Sequence, residues 1–173
     1  MIEVIFEGLS GTYPSEFLNL NGIEYFQFEE EFMENNMRCI PMIIRFKMDM
    51  TGIKLKLSEW KKFTTEERIE LALMSCGFYE GSEQYAGYLA GLIKKYTGRN
   101  PTSMEVNKVS AWRGLHSIPE TLIEKLKEFD WNLSIAQWKS LTDLQRFALL
   151  KLCRPGHENK NFPKAMKEFG LVT

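Results

Sequence analysis

IPMIIRFKMDMTGIKLKL, residues 40–57, reads two ways. Apolar and charged residues alternate around Thr51-Gly52, the pattern of a β-hairpin. A second stretch, IPETLIEKLKEFDWNLSI at 118–135, lies 78 residues further on and starts with the same Ile-Pro pair. It does not alternate. Leu122, Ile123, Leu126 and Phe129 fall at i, i+1, i+4 and i+7, one face of a helix. Equivalent copies of one unit should fold alike, so both stretches are expected to be helical. Pro41 and Pro119 then stand at the first turn, where a missing N–H costs nothing. Gly52 suits the left-handed residue that ends the first helix.

The correspondence runs on without a gap from Ile40–Cys76 to Ile118–Arg154. Nine of these 37 positions are identical, among them Leu55 and Leu133, Trp60 and Trp138, Thr64 and Thr142, Arg68 and Arg146. Each copy passes through a short connection, a short helix carrying the Trp, and then a capping box, Thr64-x-x-Glu67 or Thr142-x-x-Gln145. Each box opens an apolar helix expected to end near Ser75 or Cys153. Between the copies, SEQYAGYLAGLIKKYTG keeps helical spacing, with Ser82 placed to cap its start and Gly98 to end it. Residues 99–117 read as a loop anchored by Trp112. FPKAMKEFG reads as a terminal helix with Pro163 in its first turn. FLNL-NG-IEYF carries a two-residue turn signal for a small N-terminal hairpin. The expected fold is thus mainly α: a helical bundle of two related repeats, about 40–76 and 118–154. Residues 1–28 form an extension carrying the hairpin, and 29–173 a single helical domain.

Composition narrows the function. Hydrophobic residues at 44% supply a core that needs no disulfide or metal to hold it. A net charge of −1 argues against a general nucleic-acid binder. No apolar run reaches membrane-spanning length. Three cysteines in no framework spacing, with an acidic N-terminal stretch unlike an export signal, point to free thiols in the cytoplasm.

No GxSxG, Walker loop, GxGxxG or HExxH is present, so no enzyme chemistry is expected. FEEEFMEN reads as the solvated face of a short helix. Trp60 and Trp138 suit core packing at a helix junction. Arg68 and Arg146 suit packing over a neighbour or pairing with an acid. Cys39, Cys76, Cys153 and His157 offer one alternative: a helical fold could gather them into a zinc or iron–sulfur site. The bend CRPGHENKN, residues 153–161, offers another. Arg154, Pro155 and Asn159 or Asn161 have structural uses as helix caps and stops. His157, Glu158 and Lys160 exceed what a bend needs.

RCIPMIIRFKMD (38–49), GIKLKLSEW (52–60), LTDLQRFALLKL (141–152) and RPGHENKNF (154–162) together resemble the nitrate reductase-associated protein family, of cyanobacterial type. The resemblance runs from about residue 25 to 171. It implies an accessory protein of nitrate assimilation, with nitrate reductase or its cofactor-loading machinery as partner. No catalytic residue or cofactor carries over. The partner face expected from the matching strings is Arg38, Arg154, His157, Glu158, Asn159 and Lys160. Their basic members would also suit contact with a pyrophosphate-bearing molybdopterin cofactor.

Overall fold

The computed structural model describes residues 16–30, 38–77, 81–106 and 110–173, with the backbone alone at 157 and 158. Among these residues it is mainly helical. The helices are α1 (Met42–Thr51), α2 (Leu57–Trp60), α3 (Thr65–Leu73), α4 (Ser82–Thr97), α5 (Glu120–Lys127), α6 (Ile135–Ser140), α7 (Asp143–Leu152) and α8 (Phe162–Glu168). A two-stranded antiparallel ribbon, β1 (Ile53–Lys54) with β2 (Thr102–Ser103), ties the start of the central loop to the end of α1. The loop also holds a 3-10 turn at Ala111–Arg113, which seats the buried Trp112.

The helix reading holds for Met42–Thr51, while beyond Gly52 Ile53–Lys54 is a strand that pairs with the central loop and not with the first arm. Pro41 and Pro119 sit one residue earlier than expected, as N-caps with extended backbones. Gly52 ends α1 with φ 69°, and a Cβ there would meet Val106 Cγ2 at 2.8 Å and Met104 O at 2.9 Å. Asp130, 78 residues on, also has positive φ, 54°, a conformation that Asp tolerates better than most residues. Both capping boxes form. The Glu67 N–H donates to Thr64 Oγ1 at 3.2 Å and the Gln145 N–H to Thr142 Oγ1 at 3.1 Å, with the reciprocal bonds at 2.9 Å. α1 and α5, α2 and α6, α3 and α7 therefore begin at the same 78-residue spacing. This is a correspondence of boundaries and caps; descent from a duplicated unit is an inference from it.

Two hydrophobic clusters fill the interior. The first gathers Ile44, Met48, Trp60, Leu71, Tyr85, Leu89 and Ile93 beneath α4. The second gathers Leu122, Leu126, Trp138, Phe147, Leu149, Phe162 and Met166 against α8. α1 joins them: Met42 belongs to the second, Ile44 and Met48 to the first, and Ile43 packs against both.

Buried cations fasten each half at matching places. Arg68 Nη1 donates to Phe63 O at 2.6 Å, its Nη2 to Thr65 Oγ1 at 3.3 Å, and its Nε to Glu16. Arg146 repeats this at the paired positions, Nη1 to Leu141 O and Nη2 to Asp143, with Nε donating to Trp112 O at 2.8 Å. Each guanidinium lies over the Trp of its own half, 5.9 Å from Trp60 and 5.8 Å from Trp138. Lys47 and Lys125 are buried too, in different company. Lys47 Nζ donates to the carbonyls of Leu71, Ala72 and Met74, closing the end of α3. Burial pushes its ammonium down to about 8, opposed by nearby Cys76. Lys125 instead pairs with Glu128 and lies over Phe129 and Phe162.

Four expectations fail. Residues 17–26 form no hairpin: a turn at 16–19 and positive φ at Asn19 and Gly22 carry the chain from one core to the other. Phe17 stacks on Trp60 at 6.1 Å, while Phe26 packs against Phe28 and Phe169. Leu20, Ile23 and Tyr25 still pack on the cluster of Phe17, with the Phe17 and Tyr25 rings 5.8 Å apart, so the arms meet through side chains without pairing as strands. In the acidic run, Glu29 is not solvated but 4% exposed, and its Oε1 accepts the Met42 N–H at 2.6 Å. A carboxylate from outside the helix thereby caps α1, which Pro41 cannot do. Residues 31–35 of that run lie outside the described residues. Gly81, with φ 79°, takes the N-cap of α4 in place of Ser82. Finally, Asn161 precedes α8 but makes no side-chain cap. Its buried Oδ1 finds no hydrogen-bond partner.

Candidate functional site

Three segments distant in sequence converge beside α1. The first is Arg38–Ile40, which leads into α1. Arg45 Nε holds it by donating to Ile40 O at 2.7 Å, and Cys39 is buried against Tyr25. The second follows the ribbon: Lys54, Leu55 and Leu57, with Met104 from the opposite strand's exit. The third is the bend after α7. The Cys153 N–H still donates helically to Leu149 O, and the Arg154 N–H to Lys151 O at 3.3 Å. Pro155 cannot extend that ladder. The chain then makes a 3-10 turn, His157–Asn161, and is pinned by Phe162, which is wholly buried.

These walls enclose a cleft of about 660 Å³ where the two halves meet. Among the described residues, Arg38, Arg45, Lys54, Lys151 and Arg154 line it, with one carboxylate, Asp49. Among the described residues the lining is thus richer in cations than in carboxylates, in a chain whose net charge is −1. Asp49 on α1 pairs with Lys151 on α7 at 2.9 Å, so the carboxylate is already engaged across the junction. Beneath the cations the lining is apolar: Ile40, Met48, Leu55, Leu57 and Met104. A smaller hollow of about 310 Å³ shares Asp49, Met104, Lys151 and Arg154 and extends toward Trp112. The lining of the larger cleft holds no histidine, serine or threonine among the described residues. Its evident chemistry is attraction of anions by guanidinium and ammonium groups over a greasy floor.

The structure brings Arg38, Arg154 and Asn159, all expected at a partner face, into this one cleft. Lys160 is exposed one residue beyond Asn159 and is not part of the lining. The side chains of His157 and Glu158 lie outside the described residues. Sequence reading missed Arg45, Lys54 and Lys151. A usable signal was present: at the 78-residue spacing they face Ile123, Asn132 and Leu73, so their charge is not part of what the halves share.

Among the described residues the three cysteines are not brought together, and the side chain of His157, the fourth member of the expected set, lies outside them. Cys39 lines the cleft, Cys76 packs on the first core and Cys153 on the second. Among the described residues, no three His, Cys, Asp or Glu side chains converge as metal ligands would. Cys39 precedes α1, Cys76 follows α3 and Cys153 is the C-cap of α7, and each packs against a different hydrophobic cluster. Burial pushes the Cys76 thiol up to about 11 and the Cys153 thiol up to about 12, away from the thiolate that binds metal.

No helix among the described residues is long and apolar enough to cross a membrane. Comparison with curated proteins and with solved structures gives no match. The family comparison does: residues 25–169, spanning both halves, the ribbon and every wall of the cleft, match the conserved nitrate reductase-associated protein, and the chain belongs to that family.

Proposed function

We propose that the protein is a cytoplasmic, non-catalytic accessory factor of nitrate assimilation. It docks on nitrate reductase, or on the machinery that loads its cofactor, and supports maturation or activity of the enzyme. The docking face is the rim of the cationic cleft: Arg38 and Arg154, with His157, Glu158, Asn159 and Lys160 on the adjoining turn. The family's description as an associated protein supports the partner. The observation that carries the site is the meeting of Arg38 with Arg154 and Asn159, brought together from positions more than a hundred residues apart into one electropositive hollow. Arginines at such a rim attract and orient an acidic surface, raising association rate and fixing register.

Affinity capture from nitrate-grown cells tests this. Tagged wild-type chain should retain the reductase or a cofactor-loading protein in a salt-sensitive way. An Arg154→Glu chain, and separately a His157→Ala, Glu158→Ala chain, should each retain at least tenfold less. Equal capture by wild type and both variants would move the docking face elsewhere. Failure of the wild type to retain either partner would remove direct docking.

A further inference from the structure

We infer that Glu16 and Phe17 are a built-in plug in a docking slot for an acidic–aromatic peptide segment, one that offers a carboxylate followed directly by an aromatic ring. The slot lies on the first half, and none of its residues lines the cleft. The inference therefore goes beyond the docking reading and does not rest on it.

The Phe17 ring stacks on Trp60 at 6.1 Å and lies 5.8 Å from Tyr25. Phe63 meets Trp60 edge-on at 6.1 Å. One residue earlier in the chain, the Glu16 carboxylate pairs with Arg68 Nε, whose other two nitrogens are committed to Phe63 O and Thr65 Oγ1. The matched arginine shows what is unusual here. Arg146 Nε donates to Trp112 O, a carbonyl inside the residues 25–169 that match the family. Arg68 Nε is answered from outside that match, by a residue 52 positions away. One arginine is thus closed by the domain's own backbone and the other by an appended side chain. A carbonyl held by the fold cannot be swapped, whereas a carboxylate on an appended segment can be replaced by another.

The segment that carries the plug is lightly embedded. Residues 18–25 are all exposed or half-buried. Asn19 and Gly22 turn the chain with positive φ, and the Leu20 N–H donates to Phe17 O inside the turn. Phe17 is the deep anchor, 2% exposed, while the Glu16 side chain keeps 19% exposure, so a competitor can reach the ion pair. Trp, Tyr and Arg are the residue types that dominate docking energies. An occupant needs both groups. A ring alone leaves the buried Arg68 Nε unpaired, and an acid alone leaves the Trp60 face wet. Tethered to the same chain, the plug acts at an effective concentration on the order of mM. The slot is therefore shut until the plug is drawn out.

Fluorescence polarisation of a labelled peptide, EFLNLNGI, the chain's own residues 16–23, tests the inference on the full chain. A Glu16→Ala, Phe17→Ala chain should bind the peptide at least tenfold more tightly than wild type, whose slot is filled. Peptides carrying Glu16→Gln or Phe17→Ala should each bind that chain at least tenfold more weakly than the parent peptide. Should the double variant be misfolded by circular dichroism, a Glu16→Gln, Phe17→Leu chain takes its place and should still bind severalfold more tightly than wild type. Equal binding to wild type and variant, or no loss with either altered peptide, would overturn the inference. Light scattering reads the other occupant, the same segment of a second copy. Wild type should run as it does when the plug is mutated. A wild-type dimer that the double variant abolishes would show segments exchanged between copies and would overturn a plug within one chain.

Discussion

The halves at 40–76 and 118–154 agree at their buried fasteners and differ in the charged residues that line the cleft. Trp60 and Trp138, Arg68 and Arg146, Thr64 and Thr142 hold matching places with matching bonds. The five cations of the cleft find no cation opposite them at the same spacing: Arg38 faces His116, Arg45 faces Ile123, Lys54 faces Asn132, Lys151 faces Leu73 and Arg154 faces Cys76. One half thus folds with apolar or neutral residues where the other has charge. The shared residues build the scaffold, and the unshared charges are additions to it. Lys47 and Lys125 fall between these cases, identical in type and burial yet bonded differently.

The comparison can be broken at its strongest point first. Arg68→Met and Arg146→Met should each destabilise the protein by about 3–5 kcal/mol, because the first leaves Phe63 O and Glu16 and the second Leu141 O, Trp112 O and Asp143 without this donor, and each removes a cation from the Trp face. Urea unfolding measures both. A loss at one site and not the other would show that the matched bonds are not matched in importance. The two lysines should separate. Lys47→Met leaves three carbonyls at the end of α3 unpaired and should cost about 2–3 kcal/mol. Lys125→Met keeps the contact with Phe129 and Phe162 and loses a pair whose acid is largely exposed, so it should cost less than about 1 kcal/mol. The caps should behave alike, with Thr64→Ala and Thr142→Ala each costing about 1 kcal/mol in the same unfolding assay.

The thiols give the smallest effect and a signed one. Burial raises the folded pKa of Cys76 and Cys153 above the ordinary thiol value of 9.0. Their contribution to stability is therefore fully present below pH 9 and is lost as pH rises through about 11 to 12. Site-resolved alkylation at pH 9 should find both thiols at least ~10-fold slower in the native chain than in urea. Equal rates would mean that they are not packed against the cores.

Much of the scaffold was legible because its signals are local. A Thr with Glu or Gln three residues on, a Gly after an apolar run and a Pro before one each act within a turn. Setting the two copies side by side also overruled the hairpin pattern of residues 40–57. The N-terminal turn signal misled because Asn-Gly specifies a bend and not the pairing of its arms, and a second positive φ, at Asn19, turns the chain before a strand can form. Glu29 was unreadable for a similar reason: its bond is to an N–H thirteen residues away, and an acid in an acidic run looks solvated. At the cleft, Arg38, Arg154 and Asn159 stood out in unusual strings. Arg45, Lys54 and Lys151 did not, because a charged residue on a helix or ribbon looks like ordinary surface until tertiary structure turns it toward the others. The cysteines failed in the opposite sense, since nothing in their spacing reveals that each follows a different core.

The division between scaffold and added charge is tested most directly by urea unfolding of an Arg38→Ala, Lys54→Ala, Arg154→Ala chain. If those cations serve binding and not folding, its stability should stay within about 1 kcal/mol of wild type. A loss of about 3 kcal/mol or more, the scale of breaking a buried ion pair, would make them part of the scaffold and leave the cleft without its separate purpose.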